Sequence, residues 1–224
     1  MRKALSVAAL VTALALPGAA AAQTGFGVGV KVGSIGVGAE GAIGFGSNLA
    51  VRAGAALFPV NPDVTLSELE VSLNLPDTYM NLGVDFYPSA GGFRLSGGLL
   101  FKPDDPELRG TFTTNQNIGG RTYTPQQIGT LVGVIDSGKT APFAMIGFGR
   151  HTRSGLGFYT DLGAGFLKEP TLTLRQEGGS LSPAEKAQFD QDLERERREM
   201  EEDLGSYLRI YPILQLGLRI GLGR

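Results

Sequence analysis

Four groups of residues carry types and spacings that could do chemistry. Gly36, Gly38 and Gly41 spell G-x-G-x-x-G, which cradles a pyrophosphate where a strand hands over to a helix. His151, the single histidine, has Ser154 close by, so an imidazole could activate a hydroxyl for hydrolysis. Asp104 with Asp105, and Glu201 to Asp203, are acids that could gather a divalent cation. The fourth group is scattered: Lys31, Glu40, Arg52, Asp85, Arg94, Lys102, Asp161 and Arg219 each interrupt or border an apolar segment.

The first three groups lack the setting their chemistry needs. No helix is expected after Gly41, where the chain continues as alternating apolar residues. His151 falls in a short connection with no acid beside it in sequence, and the acid pairs lack the spaced ligands of a calcium loop. No catalytic residue, metal ligand or cofactor is therefore expected. The scattered charges need a scaffold that brings them together.

That scaffold is legible as period-two alternation. Phe26, Val28, Val30 and Val32 alternate with Gly27, Gly29, Lys31 and Gly33; Ile35 to Phe45 and Leu49 to Leu57 follow the same rule. Met80 to Phe86 and Phe93 to Lys102 repeat it, as do Pro142 to Phe148, Phe158 to Phe166 and Leu208 to Leu222. Glycine supplies much of the second parity, and its 34 copies among 224 residues are about twice the usual share of roughly 7%. Eight such strands suit a closed antiparallel barrel.

Volume decides which parity faces inward. An eight-stranded barrel has an interior only just wide enough for side chains to fill, so eight strands of Leu, Ile, Val and Phe would overfill it, whereas glycine and a few charges fit. The apolar parity is thus expected to face lipid, with Phe26, Phe45, Phe86, Phe93, Phe148 and Phe158 forming a girdle at one membrane interface. The eight scattered charges then share the lumen, where opposite signs must pair if they are buried. Such pairs are expected to plug the barrel; the basic excess among them leaves a narrow, weakly anion-favouring pore as the alternative.

Compartment and orientation follow from the ends and connections. Arg2 and Lys3 precede the apolar run Ala4 to Leu16, Pro17-Gly18 breaks it, and Ala20-Ala21-Ala22 offers a cleavage site, so residues 1–22 are expected to be a removed signal peptide and 23–224 one barrel domain. No cysteine is present, which excludes disulfide staples and thiolate metal sites. Loss of Arg2 and Lys3 leaves 18 basic against 22 acidic residues, which gives no general case for nucleic-acid binding. Short connections at Gly46 to Asn48, Ser89 to Gly92 and Arg150 to Gly155 are expected at the periplasm, with the longer ones outside.

The last long connection should hold one helix, over about 182–205. Ser182 can cap it, Pro183 suits its first position and Glu185 completes a capping box. Phe189, Leu193, Met200 and Leu204 make a thin apolar stripe, so the helix is expected to rest on the barrel rim. Arg195, Arg197 and Arg198 are interleaved with five glutamates and should pair among themselves, although lipopolysaccharide phosphates could also meet them.

Particular motifs carry a family resemblance. Through GGFRLSGGLLF (Gly91 to Phe101), RTYTPQQIGTLVG (Arg121 to Gly133), APFAMIGFG (Ala141 to Gly149) and YPILQLGLRIG (Tyr211 to Gly221), the chain resembles a family of small, uncharacterised proteobacterial outer-membrane β-barrel proteins. The resemblance spans essentially all of 23–224 and implies an eight-stranded barrel, insertion by the outer-membrane assembly machinery, and no established catalytic residues; outer-membrane lipids and lipopolysaccharide are the expected partners of its lipid-facing parity. Such barrels usually end in an aromatic residue, where this chain has Leu222-Gly223-Arg224. The expectation is a non-enzymatic outer-membrane protein of structural or surface-interaction role, its surface partner unspecified.

Overall fold

A computed structural model of the protein describes residues 25–58, 63–66, 69–204 and 209–222. The expected signal peptide, residues 1–22, lies outside them, as do Gly205 and the chain end Gly223-Arg224.

Eight strands close on themselves: β1 (Phe26–Gly33), β2 (Gly36–Phe45), β3 (Leu49–Leu57), β6 (Thr78–Phe86), β7 (Phe93–Phe101), β12 (Thr140–Phe148), β13 (Gly155–Phe166) and β15 (Ile210–Gly221). Every neighbouring pair is antiparallel, and β1 closes the ring against β15 from Gly27↔Gly221 to Gly33↔Gln215. Closure leaves no open edge. The alternation sets the faces as expected for most positions: Val30, Leu82, Phe148 and Leu216 are exposed outside, and Lys31, Asn81, Arg94 and Gln215 are buried inside; Ile35, expected on the outward parity, instead lies in the turn before β2 and is buried.

Three long connections gather at one end, which we call the cap end; the other is the short-turn end. Read from sequence as loops with one helix, they instead fold together. They build a five-stranded sheet from β4 (Asp63–Leu66), β5 (Leu69–Asn74), β8 (Glu107–Phe112), β11 (Thr130–Asp136) and β14 (Thr171–Glu177), in the order β14-β11-β8-β5-β4. The pairs β5–β8 and β11–β14 each join two different connections. A hairpin, β9 (Gln116–Ile118) with β10 (Arg121–Tyr123), and two helices, α1 (Pro125–Ile128) and α2 (Pro183–Leu204), complete the cap.

Both helices begin with reciprocal capping. At α1, the Thr124 hydroxyl accepts from Gln127 N and the Gln127 side chain accepts from Thr124 N, so the distinctive TYTPQQIGTL motif spells a strand end, a capped turn and the start of β11. At α2, Glu185 N donates to the Ser182 hydroxyl at 3.4 Å and Ser182 N donates to Glu185 at 2.9 Å, as the sequence predicts. The position of α2 differs from the expectation. Its Phe189 and Leu193 are buried with Ile118, Tyr123 and Ile128 against Phe112, Leu131 and Leu174 of the cap sheet, while Met200 stays exposed. The stripe therefore lands on a sheet built from the loops, where it finds more apolar surface than a barrel rim offers.

Candidate functional site

The lumen is the candidate site, and two layers fill it. Toward the cap end, inward positions carry Ile35, Ala56, Tyr79, Leu100, Ala141, Phe143, Met145 and Ile213, which form one buried apolar cluster. Toward the short-turn end the same parity carries charges. Parity counting on glycine and charge missed the apolar layer, although Leu100, Phe143, Met145 and Ile213 sit on the inward parity of strands already recognised.

Arg52, on β3, is the hub of the charged layer. Its guanidinium reaches Asp161 on β13 at 2.9 Å, Asp85 on β6 at 3.2 Å and Glu40 on β2 at 3.4 Å. Lys31 on β1 adds a 3.2 Å pair to Glu40 and a 2.6 Å hydrogen bond to Asn81, and Arg94 on β7 meets Asp161 at 2.7 Å. Ser96 donates to Asp85 at 2.6 Å. Three cations thus face three carboxylates, all buried, with hydrogen bonds from several strands, which is the condition under which buried charge is tolerated.

Two charges expected in this cluster lie elsewhere. Lys102 falls one residue beyond β7 and pairs with Asp105 at 2.7 Å at the cap end. Arg219, near the far end of β15, donates to the carbonyls of Arg153 and Gly155 and has no carboxylate partner among the described residues. Inward parity fixed their side of the wall, but their height along the strand separates them from the hub.

His151 joins the cluster instead. The connection Gly149 to Ser154 turns back into the lumen, where the His151 ring is fully buried, bonds Glu40 through Nε2 and lies 4.3 Å from the Tyr159 ring. The acid absent beside it in sequence is Glu40, far away in the chain and adjacent in the barrel. Gly149 has φ 98°, a conformation that favours glycine at the bend where the turn dives inward. Gly27 lets it pass: a Cβ there would lie 2.0 Å from the His151 carbonyl oxygen.

Arginines clamp this turn. Arg94 donates to the Gly149 carbonyl, and Arg219 holds those of Arg153 and Gly155. Arg150 donates to the carbonyls of Ser47 at 2.7 Å, Ala90 at 2.9 Å and Gly46 at 3.2 Å while stacking over the Tyr87 ring at 4.8 Å, so it ties the three short turns together. Ser154 is exposed, away from the buried imidazole, and the pair offers no hydrolytic geometry.

The six phenylalanines all face outward. Phe93 and Phe148 are paired with ring centroids 5.4 Å apart, and Phe45 and Phe86 are both registered to Leu49. Phe158 sits further up the wall than the sequence suggests, since β13 begins at Gly155 and Leu156 takes the outermost apolar position.

The cap holds a second polar set. Tyr123 donates to Asp192 at 2.7 Å; burial pushes the phenol up to about 12, and its hydrogen bond holds the Asp192 carboxyl below the usual range. Arg197 pairs with Glu194 and Glu201, and Glu194 is pushed down to about 2, chiefly by that hydrogen bond. A cavity of about 240 Å³ between β14 and α2 is lined by Arg175, Lys186, Asp190, Glu194 and Arg197, whose charges pair within the cap. Among the described residues no group of His, Asp and Glu has metal-ligand geometry.

No protein-family model matches the chain, and no curated protein matches it. Among solved structures it is similar to CarO from Acinetobacter baumannii, at 17% identity over 87% of this chain and 96% of that one, with a TM-score of 0.58. It is likewise similar to CarO2 from the same organism, at 15% identity over 88% and 98%, with a TM-score of 0.60. At these identities the likeness is one of fold: a closed eight-stranded antiparallel barrel.

Proposed function

We propose that this protein is an integral outer-membrane barrel with a sealed lumen, which anchors a folded cap at the cell surface and catalyses no reaction. The observation that carries the reading is the outer wall. Phe26, Val30, Leu82, Leu99, Ile146, Leu162 and Leu216 belong to a belt that covers every strand with exposed apolar side chains, far beyond what a soluble monomer presents. Strands of 8 to 12 residues suit a tilted crossing of a bilayer core, which needs roughly 9–11, and a closed ring leaves no backbone group unpaired in lipid.

Orientation follows from the connections: short turns face the periplasm and the cap faces outward. The belt contacts outer-membrane lipids and lipopolysaccharide, insertion uses the barrel assembly machinery, and the cap is the surface offered to a partner. The solved barrels of similar fold support this location. The seal is supported by two independent layers, an apolar one around Phe143 and Met145 and an ionic one around Arg52, so a passive channel is the weaker reading. Membrane-extracted protein should migrate differently on gels before and after boiling, and planar bilayers containing it should show no unitary conductance. Identical migration removes the barrel reading; steady channels remove the seal.

A further inference from the structure

Six buried side-chain atoms have no hydrogen-bond partner among the described residues: Asp85 Oδ2, Tyr87 Oη, Arg94 Nε, His151 Nδ1, Gln215 Oε1 and Arg219 Nε; three of them, Asp85 Oδ2, Arg94 Nε and His151 Nδ1, belong to the ionic cluster and the turn inserted beside it. All three residues are fully buried. Asp85 Oδ2 lies 3.9 Å from Arg94 Nε and 3.9 Å from His151 Nδ1. That separation is too long for direct hydrogen bonds and suits a shared bridging molecule.

The polarity of the three atoms identifies the bridge. Arg94 Nε can only donate, and the Asp85 carboxylate oxygen can only accept. His151 Nε2 contacts the Glu40 carboxylate and must carry a proton to do so, which leaves Nδ1 of a neutral ring as an acceptor. One donor and two acceptors match the two hydrogens and the lone pair of a single water. We propose that the plug binds one buried water here, accepting from Arg94 and donating to Asp85 and His151, and that through it the inserted turn is joined to the β6 wall with His151 as the neutral Nε2–H tautomer. Buried waters typically make about three such bonds to groups that would otherwise be unpaired.

The competing arrangement is an imidazolium shared by Glu40 and Asp85. It is disfavoured on two counts. It leaves Arg94 Nε without a partner, and it sets four cations, Lys31, Arg52, Arg94 and His151, against the carboxylates of Glu40, Asp85 and Asp161 in a closed, buried cluster. Two tyrosines adjoin the cluster: Tyr159 presents its ring to His151, and Tyr87, whose buried hydroxyl is also unpartnered among the described residues, can add a hydrogen bond but no formal charge, so neither changes this balance.

The test uses the unaltered protein, so no variant need fold, and its outcome is independent of whether the barrel conducts. Because His151 is the single histidine, ¹⁵N-histidine labelling yields one unambiguous pair of ring nitrogens. At neutral pH, long-range proton–nitrogen correlation of the folded protein in detergent should show a proton on Nε2 alone. A crystal structure at high resolution should show a water within hydrogen-bond distance of all three atoms. A doubly protonated ring, a proton on Nδ1 alone, or a neutral ring with no water density would each overturn the proposal.

Discussion

Arg52 pairs with Glu40, Asp85 and Asp161 at once, so its removal leaves three buried carboxylates with only Lys31 and Arg94 to balance them. Replacement by methionine should lower the stability of the folded barrel by about 3–5 kcal/mol, the range for breaking a buried pair from one side, and should shift the urea unfolding midpoint accordingly. An unchanged midpoint would mean that the hub is solvated. Gly27→Ala should be costly for a steric reason, since the new methyl meets the His151 carbonyl; about 1–3 kcal/mol is expected for such overpacking, read as a lower thermal midpoint. Lys31, Glu40, Arg52, Asp85, Arg94, Asp161 and Arg219 were legible in sequence because each sits on the glycine parity of a strand, whereas Lys102 falls one residue beyond β7. The role of His151 was not, because its partner Glu40 is brought to it only by barrel closure and its own segment reads as an ordinary turn.

Helix α2 depends on charge at its contacts with the cap sheet. Glu201 accepts from Leu172 N at 2.7 Å, while Arg197 donates to the Leu172 carbonyl at 3.3 Å, so the helix satisfies backbone groups along the outer edge of β14. The Glu201, Asp192 and Glu194 carboxyls are all held below their ordinary values, Glu201 mainly by the Leu172 amide and Glu194 by Arg197. A depressed carboxyl stabilises the docked state fully above its ordinary value near 4.5 and loses that contribution as pH falls toward about 2. Amide exchange at Leu172 should therefore accelerate through that acid window, and added salt should weaken the effect because Glu194 and Glu201 are partly solvent-facing. Exchange that stays flat down to pH 2 would show that Phe189 and Leu193 hold the helix without help. The helix itself was legible from Ser182, Pro183 and Glu185. Its platform was not: β5, β8, β11 and β14 are short, and they become a sheet only by pairing across connections far apart in the chain.

At the scale of the molecule, sealing is redundant. Replacing Arg150 to Ser154 with a two-residue turn should remove the inserted turn and its clamp on the other short turns yet leave the barrel closed, because the ionic cluster around Arg52 and the apolar layer around Tyr79, Phe143 and Ile213 remain. Unitary conductance in that variant, with heat-modifiable mobility preserved, would show that the turn alone is the stopper. The eight strands and their sidedness were legible because a period of two runs through each of them; the lumen's division into an oily half and an ionic half was not, because Leu100, Phe143, Met145 and Ile213 share the inward parity with glycine and charge and interrupt the contrast between the two faces. The stitching of the cap has one more consequence, for chronology. β11 can find β14 only once the chain as far as Glu177 is present, and α2, which covers that margin, lies later still in the chain. The dome is thus complete only when all three long connections are in place together.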